Sequence, residues 1–112
     1  MNTNPVLPKD KRLTVIFRVE PGCLGPEGKN HIDKFCKLAQ KEIETEAPDF
    51  VHCLVVPRND KSQSETQYKV GAKILTHDKA KKYLKIVELN IDEVEGQLLE
   101  KITYLIEQFL DR

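Results

Sequence analysis

Between Glu20 and His31 the chain reads Glu-Pro-Gly-Cys-Leu-Gly-Pro-Glu-Gly-Lys-Asn-His, and this stretch holds three of the five glycines together with a thiol, an ammonium and an imidazole. Backbone freedom and reactive side chains coincide there, so it is the first place to look for chemistry. Two chemistries fit. In the first, Gly22, Gly25 and Gly28 let backbone N–H groups converge on an anion at the start of a helix, with Lys29 and His31 adding charge. In the second, Cys23 acts as a nucleophile or redox thiol, with His31 as base and the loop N–H groups stabilising an anion. The glycine spacing matches neither phosphate-binding motif. Cys23 stands where a P-loop requires its first glycine, Asn30 stands where it requires Ser or Thr, and Gly22, Gly25 and Gly28 do not follow Gly-x-Gly-x-x-Gly.

The other reactive groups are scattered. Cys23, Cys36 and Cys53 are odd in number and contain no Cys-x-x-Cys pair, so neither a disulfide framework nor a thiolate zinc site is signalled. Cys36 falls on an apolar helix stripe, and His52 and Cys53, as strand neighbours, point to opposite faces. Hence Cys23, His31, Cys36, His52, Cys53 and His77 do not assemble a ligand set, and the sequence predicts no metal and no other cofactor. Arg18, Lys69 and Lys73 are expected on an outward sheet face that continues into a segment with six lysines and one aspartate between residues 69 and 85. That face could receive a polyanion, but no exposed aromatics interleave with the lysines, which favours a solvated surface over a nucleic-acid interface. Residues 86–112 carry the opposite charge, with seven carboxylates and two basic side chains. Among them Glu95 sits close to Ile91, Val94, Leu98 and Leu99 on a helix, so it requires either a partner or a raised pKa.

These residues are positioned by elements that the hydrophobic pattern marks out. Leu13, Val15, Phe17 and Val19 alternate with polar positions, predicting a strand over 13–20 that is covered on one face. A helix is expected from Gly25 and Pro26, or from about Asn30, to about Ala47, burying Ile32, Phe35, Cys36, Ala39 and Ile43. The apolar run Phe50–Val56 reads as a central strand, the polar run 58–66 as a long mobile loop, and 67–75 as the returning strand of a hairpin, with Tyr68, Val70, Ala72 and Ile74 inward. For 77–88 the helical template fits best, with Thr76 as N-cap, and a fourth strand over 81–89 is the rival. Asn90 and Glu93 resemble a capping box that opens a helix to about Leu110, whose apolar stripe is wider than one core needs.

The order strand, helix, strand, strand, helix, helix predicts one two-layer α+β domain over 13–112, behind a flexible lead-in at 1–12, with a three-stranded mixed sheet packed on helices. A formal net charge of zero gives no overall pull toward nucleic acid or anionic membrane. No apolar run approaches the roughly 18 residues of a membrane span, and 1–12 lacks a signal-peptide core, so a cytoplasmic protein is expected. The reading that follows is a non-enzymatic cytoplasmic binding or interaction module. Its loop at 20–31 would receive a small anion or an acidic protein segment, and its residues 91–110 would form a homodimer. A thiol-dependent enzyme using Cys23 is the competing reading.

Overall fold

The computed structural model describes residues 12–48 and 50–111. The expected lead-in, apart from Arg12, lies outside the described residues. The first alternating stretch forms strand β1 (Leu13–Val19), with Leu13, Val15, Phe17 and Val19 buried and the intervening side chains half-buried. Pro21 then occupies the first position of a single 3-10 turn, Pro21–Leu24, and Gly25 takes φ 93°. That left-handed backbone redirects the chain, so helix α1 (Gly28–Glu46) begins after the expected Gly25–Pro26 start. Its inward stripe is Ile32, Phe35, Cys36, Ala39 and Ile43, as the periodicity requires.

Strands β2 (Val51–Pro57), β3 (Thr66–Val70) and β4 (Lys73–Leu75) complete a four-stranded mixed sheet in the order β2-β1-β3-β4. β1 and β2 are parallel, with Val15 opposite Cys53, while β3 runs antiparallel to β1, with Tyr68 opposite Val15. This corrects two expectations: among the described residues β2 is an edge strand, and β2 and β3 form no hairpin. The apolar run that suggested a central strand is explained on the uncovered face. There Ile16 faces Leu54 and Arg18 faces Val56 across the pair, and all four are half-buried. The free edge of β2 is blunted by one side chain. Gln40 on α1 donates from Nε2 to the Cys53 carbonyl at 2.8 Å and accepts from the Val55 N–H at 2.7 Å, imitating a neighbouring strand.

The expected single strand 67–75 is instead a hairpin, broken at Gly71 (φ 60°) and Ala72. Beyond that turn the alternation shifts face. Ile74 pairs with Lys69 on the open side and is 63% exposed, and Ala72 is exposed as well. The fourth strand is therefore 73–75, whereas 77–86 is helix α2 (His77–Ile86), N-capped by the Thr76 hydroxyl accepting from the Lys79 N–H. Helix α3 (Ile91–Leu110) follows, with the Asn90 side chain accepting from the N–H groups of Asp92 and Glu93. α1 packs on β2, α2 reaches β1 and β3, and α3 packs against α1, α2 and the 3-10 turn. Leu13, Phe35, Ile43, Leu84, Ile91 and Leu98 are the largest fully buried side chains of the shared core. The arrangement is a two-layer α+β fold in which, among the described residues, one sheet face is open.

Candidate functional site

In the glycine loop several backbone donors are turned inward. The N–H groups of Cys23, Gly25 and Gly28 donate to the carbonyls of Glu20, Gly22 and Gly25 at 2.9, 3.2 and 3.0 Å. The Pro21 carbonyl oxygen also presses on the start of α1, since a Cβ on Gly28 would lie 1.7 Å from it. The loop also lines a concavity shared with the 58–61 segment, where Lys29 and Lys61 sit near Glu20 and Asp33. Arg58 lines the same surface but is committed. It donates to the Gln63 and Lys61 carbonyls and pairs with Glu20 at 3.4 Å and Glu65 at 3.7 Å. These bonds, with an Asp60 side chain accepting from the Ser62 N–H, fold the expected mobile loop around one guanidinium.

Cys23 and His31 are not brought together. The His31 ring stands edge-on to Phe109 at 5.9 Å and lines an apolar groove with Leu24, Pro26, Lys34 and Leu110, whereas Cys23 is exposed and lines none of the grooves described here. Among the described residues no hydrogen bond joins the Cys23 thiol to the His31 ring. Cys36 and Cys53 are buried, and burial pushes their thiols up to about 11 and about 12, with Asp33 adding to the rise at Cys36. Because the folded values exceed the ordinary 9.0, these thiols contribute stability that is present below about pH 9 and lost as pH rises toward 11 and 12. A disulfide reagent near neutral pH is expected to titrate one thiol in the native protein and three after denaturation. Three fast native thiols would contradict this burial.

The polycationic face does not assemble as expected. Arg18 donates to the Ser64 carbonyl and to Gln67 Oε1, which makes it a strut for the 58–65 loop. Lys69 pairs with Thr14 on the open face, but Lys73 pairs with Val70, whose register partner is Leu13. Lys73 thus projects from the opposite side of the sheet from Arg18 and Lys69, because the hairpin at Gly71 resets the alternation.

Two constellations emerge, one that residue-by-residue reading did not place and one that it anticipated as excess apolar width. The first joins β3, α2 and α3. The Tyr68 hydroxyl donates to Glu95 Oε1, the Tyr68 ring stands edge-on to His77 at 5.7 Å, and His77 Nε2 lies 3.5 Å from Asp92 Oδ1. Partial burial raises the Glu95 pKa, so Glu95 has both the partner and the shift that its place on the helix required. Glu95 and the inward register of Tyr68 were both visible in the sequence; what it did not show is that the fold brings them together beside His77 and Asp92. The second constellation is a stripe on α3. Ile91, Val94, Leu98 and Ile102 are spent in the core, yet Leu99 and Leu110 remain 55% and 50% exposed. Gly96, Leu99, Thr103, Ile106 and Leu110 recur at alternating spacings of three and four, and a Cβ at Gly96 would meet nothing within 4 Å.

Comparisons with protein-family models, with curated proteins and with solved structures returned no match.

Proposed function

We propose that this chain is a cytoplasmic, non-enzymatic interaction module that associates with a second copy of itself through the outer stripe of α3. The observation that carries the reading is the pairing of an open glycine with exposed leucines at helix-packing spacing. In an antiparallel arrangement with its two-fold axis near Thr103, Leu110 of each copy falls over Gly96 of the other, and Leu99 falls near Ile106. The empty space at Gly96 is thereby filled by a side chain of matching reach.

The stripe from 96 to 110 is about 21 Å long, and alone it covers less than the roughly 800 Å² per partner of a standard interface. Through Leu110 it runs into the groove lined by Leu24, Pro26, His31, Phe109 and Lys34, which extends the apolar area. The same geometry brings the acidic first turn of the second α3 toward the groove that carries His31, Lys34 and Glu27. In this reading the acidic segment received beside the 20–31 loop belongs to the second copy.

Sedimentation equilibrium is expected to show a reversible dimer in the wild type. Gly96→Leu replaces a mid-helix glycine, so it is expected to leave the isolated fold intact or stabilise it by up to about 1 kcal/mol while abolishing the dimer. Leu99→Glu is expected to give the same monomer. A wild type that remains monomeric over a wide concentration range, or a Gly96→Leu variant that dimerises as well as wild type, would refute the interface.

A further inference from the structure

His77, Asp92 and Glu95 each present one donor atom, and the three atoms lie within 4.8 Å of one another. His77 opens α2, while Asp92 and Glu95 stand three apart in the first turns of α3 and share a side of that helix. We propose that His77, Asp92 and Glu95 bind a first-row divalent cation of the zinc class, with Tyr68 as an outer-shell donor and water completing the coordination. This inference does not depend on the self-association reading.

The donor chemistry selects the cation. One imidazole with two carboxylates suits zinc and its neighbours, whereas calcium and magnesium favour all-oxygen sets. Bond lengths of about 2.0–2.2 Å place tetrahedral ligands on the order of 3.3 Å apart. The 3.5 Å between His77 Nε2 and Asp92 Oδ1 is already near that value, and the Glu95 carboxylate closes the set by a side-chain adjustment. The orienting partner that metal ligands require is also present. Tyr68, 8% exposed, donates to one Glu95 oxygen and leaves the other for the metal, and its ring walls one side of His77. His77 and Asp92 are 45% and 66% exposed in their side chains, so an ion has an entry path and keeps water. The positive ends of α2 and α3 oppose a cation, and the two carboxylates supply the charge that offsets them. Three protein ligands with an open position is the pattern of a zinc site that retains solvent.

The test is calorimetric titration of the full chain with Zn²⁺, in a Cys23→Ser background that removes the exposed thiol. The expected result is one ion per chain. His77→Ala and Glu95→Gln are each expected to weaken binding at least tenfold, and Tyr68→Phe by roughly tenfold. Glu95→Gln keeps an acceptor for Tyr68, so it tests the site without removing that hydrogen bond even if His77→Ala perturbs the fold. Co²⁺ bound to the chain with Cys23 intact is expected to show visible bands without thiolate-to-metal charge transfer. Absence of saturable binding, an affinity unchanged in both His77→Ala and Glu95→Gln, or a thiolate band would overturn the assignment.

Discussion

Gly28→Ala is expected to destabilise the protein by about 3 kcal/mol, although alanine is the better helix former. The added Cβ would lie 1.7 Å from the Pro21 carbonyl oxygen and 2.7 Å from its carbon, and both atoms are backbone. Neither can rotate away, so relief requires the 3-10 turn to separate from α1. The propensity gain of roughly 1 kcal/mol is much smaller than the cost of an overpacked backbone contact. Gly22→Ala is the internal control, since its nearest neighbour would be a Glu20 side-chain carbon at 3.9 Å, an ordinary contact. Urea denaturation of the two variants measures the difference. A Gly28→Ala protein as stable as Gly22→Ala would mean that Pro21 does not lie against the helix start.

Phe35→Ala is expected to cost about 4 kcal/mol, within the range for deleting a buried aromatic ring. Phe35 is 1% exposed and meets the Phe109 ring edge-on at 5.5 Å, tying the middle of α1 to the last turn of α3. The void would be flanked by Phe109, which also stands over His31 beside the apolar groove. The cost therefore has two readouts: a lower denaturation midpoint, and a looser C-terminal end of α3 detectable as faster amide exchange around Leu105–Phe109. A loss below about 1 kcal/mol would show that the core collapses around the deletion.

Much of the scaffold was legible because single-face burial imposes a period. The alternation of Leu13–Val19, the 3.6-residue stripe of α1 and the caps at Thr76 and Asn90 each report a local physical requirement, and each is met in the structure. What was not legible depended on pairing at long range. Nothing within Val51–Val56 says that β1 sits on one side and the Gln40 amide on the other, because both satisfy the same backbone groups. The alternation of 67–75 concealed a turn, since Gly71 and Ala72 fit a strand pattern as readily as a tight hairpin.

The same distinction separates the candidate sites. The 20–31 loop announced itself through composition, but two of its glycines serve a left-handed turn at Gly25 and a close approach at Gly28, and the N–H groups of Cys23, Gly25 and Gly28 bond to carbonyls of the loop itself. Cys23 and His31, eight positions apart in sequence, are directed to different surroundings. By contrast, Tyr68, His77, Asp92 and Glu95 share no motif and lie on three elements, so only the fold unites them. The α3 stripe was visible in advance as excess apolar width, and the structure divides that width into a core-facing seam and an exposed one.

The measurement that tests the proposed α3 interface most directly is disulfide trapping at Thr103→Cys in a Cys23→Ser background. A two-fold axis near this residue brings the two copies of position 103 together, and a disulfide requires Cα atoms within about 7 Å. Mild oxidation is expected to convert Thr103→Cys to a covalent dimer far faster than a Lys82→Cys control on α2, and added Gly96→Leu is expected to abolish the difference. Equal, slow cross-linking of Thr103→Cys and Lys82→Cys would contradict the proposed interface.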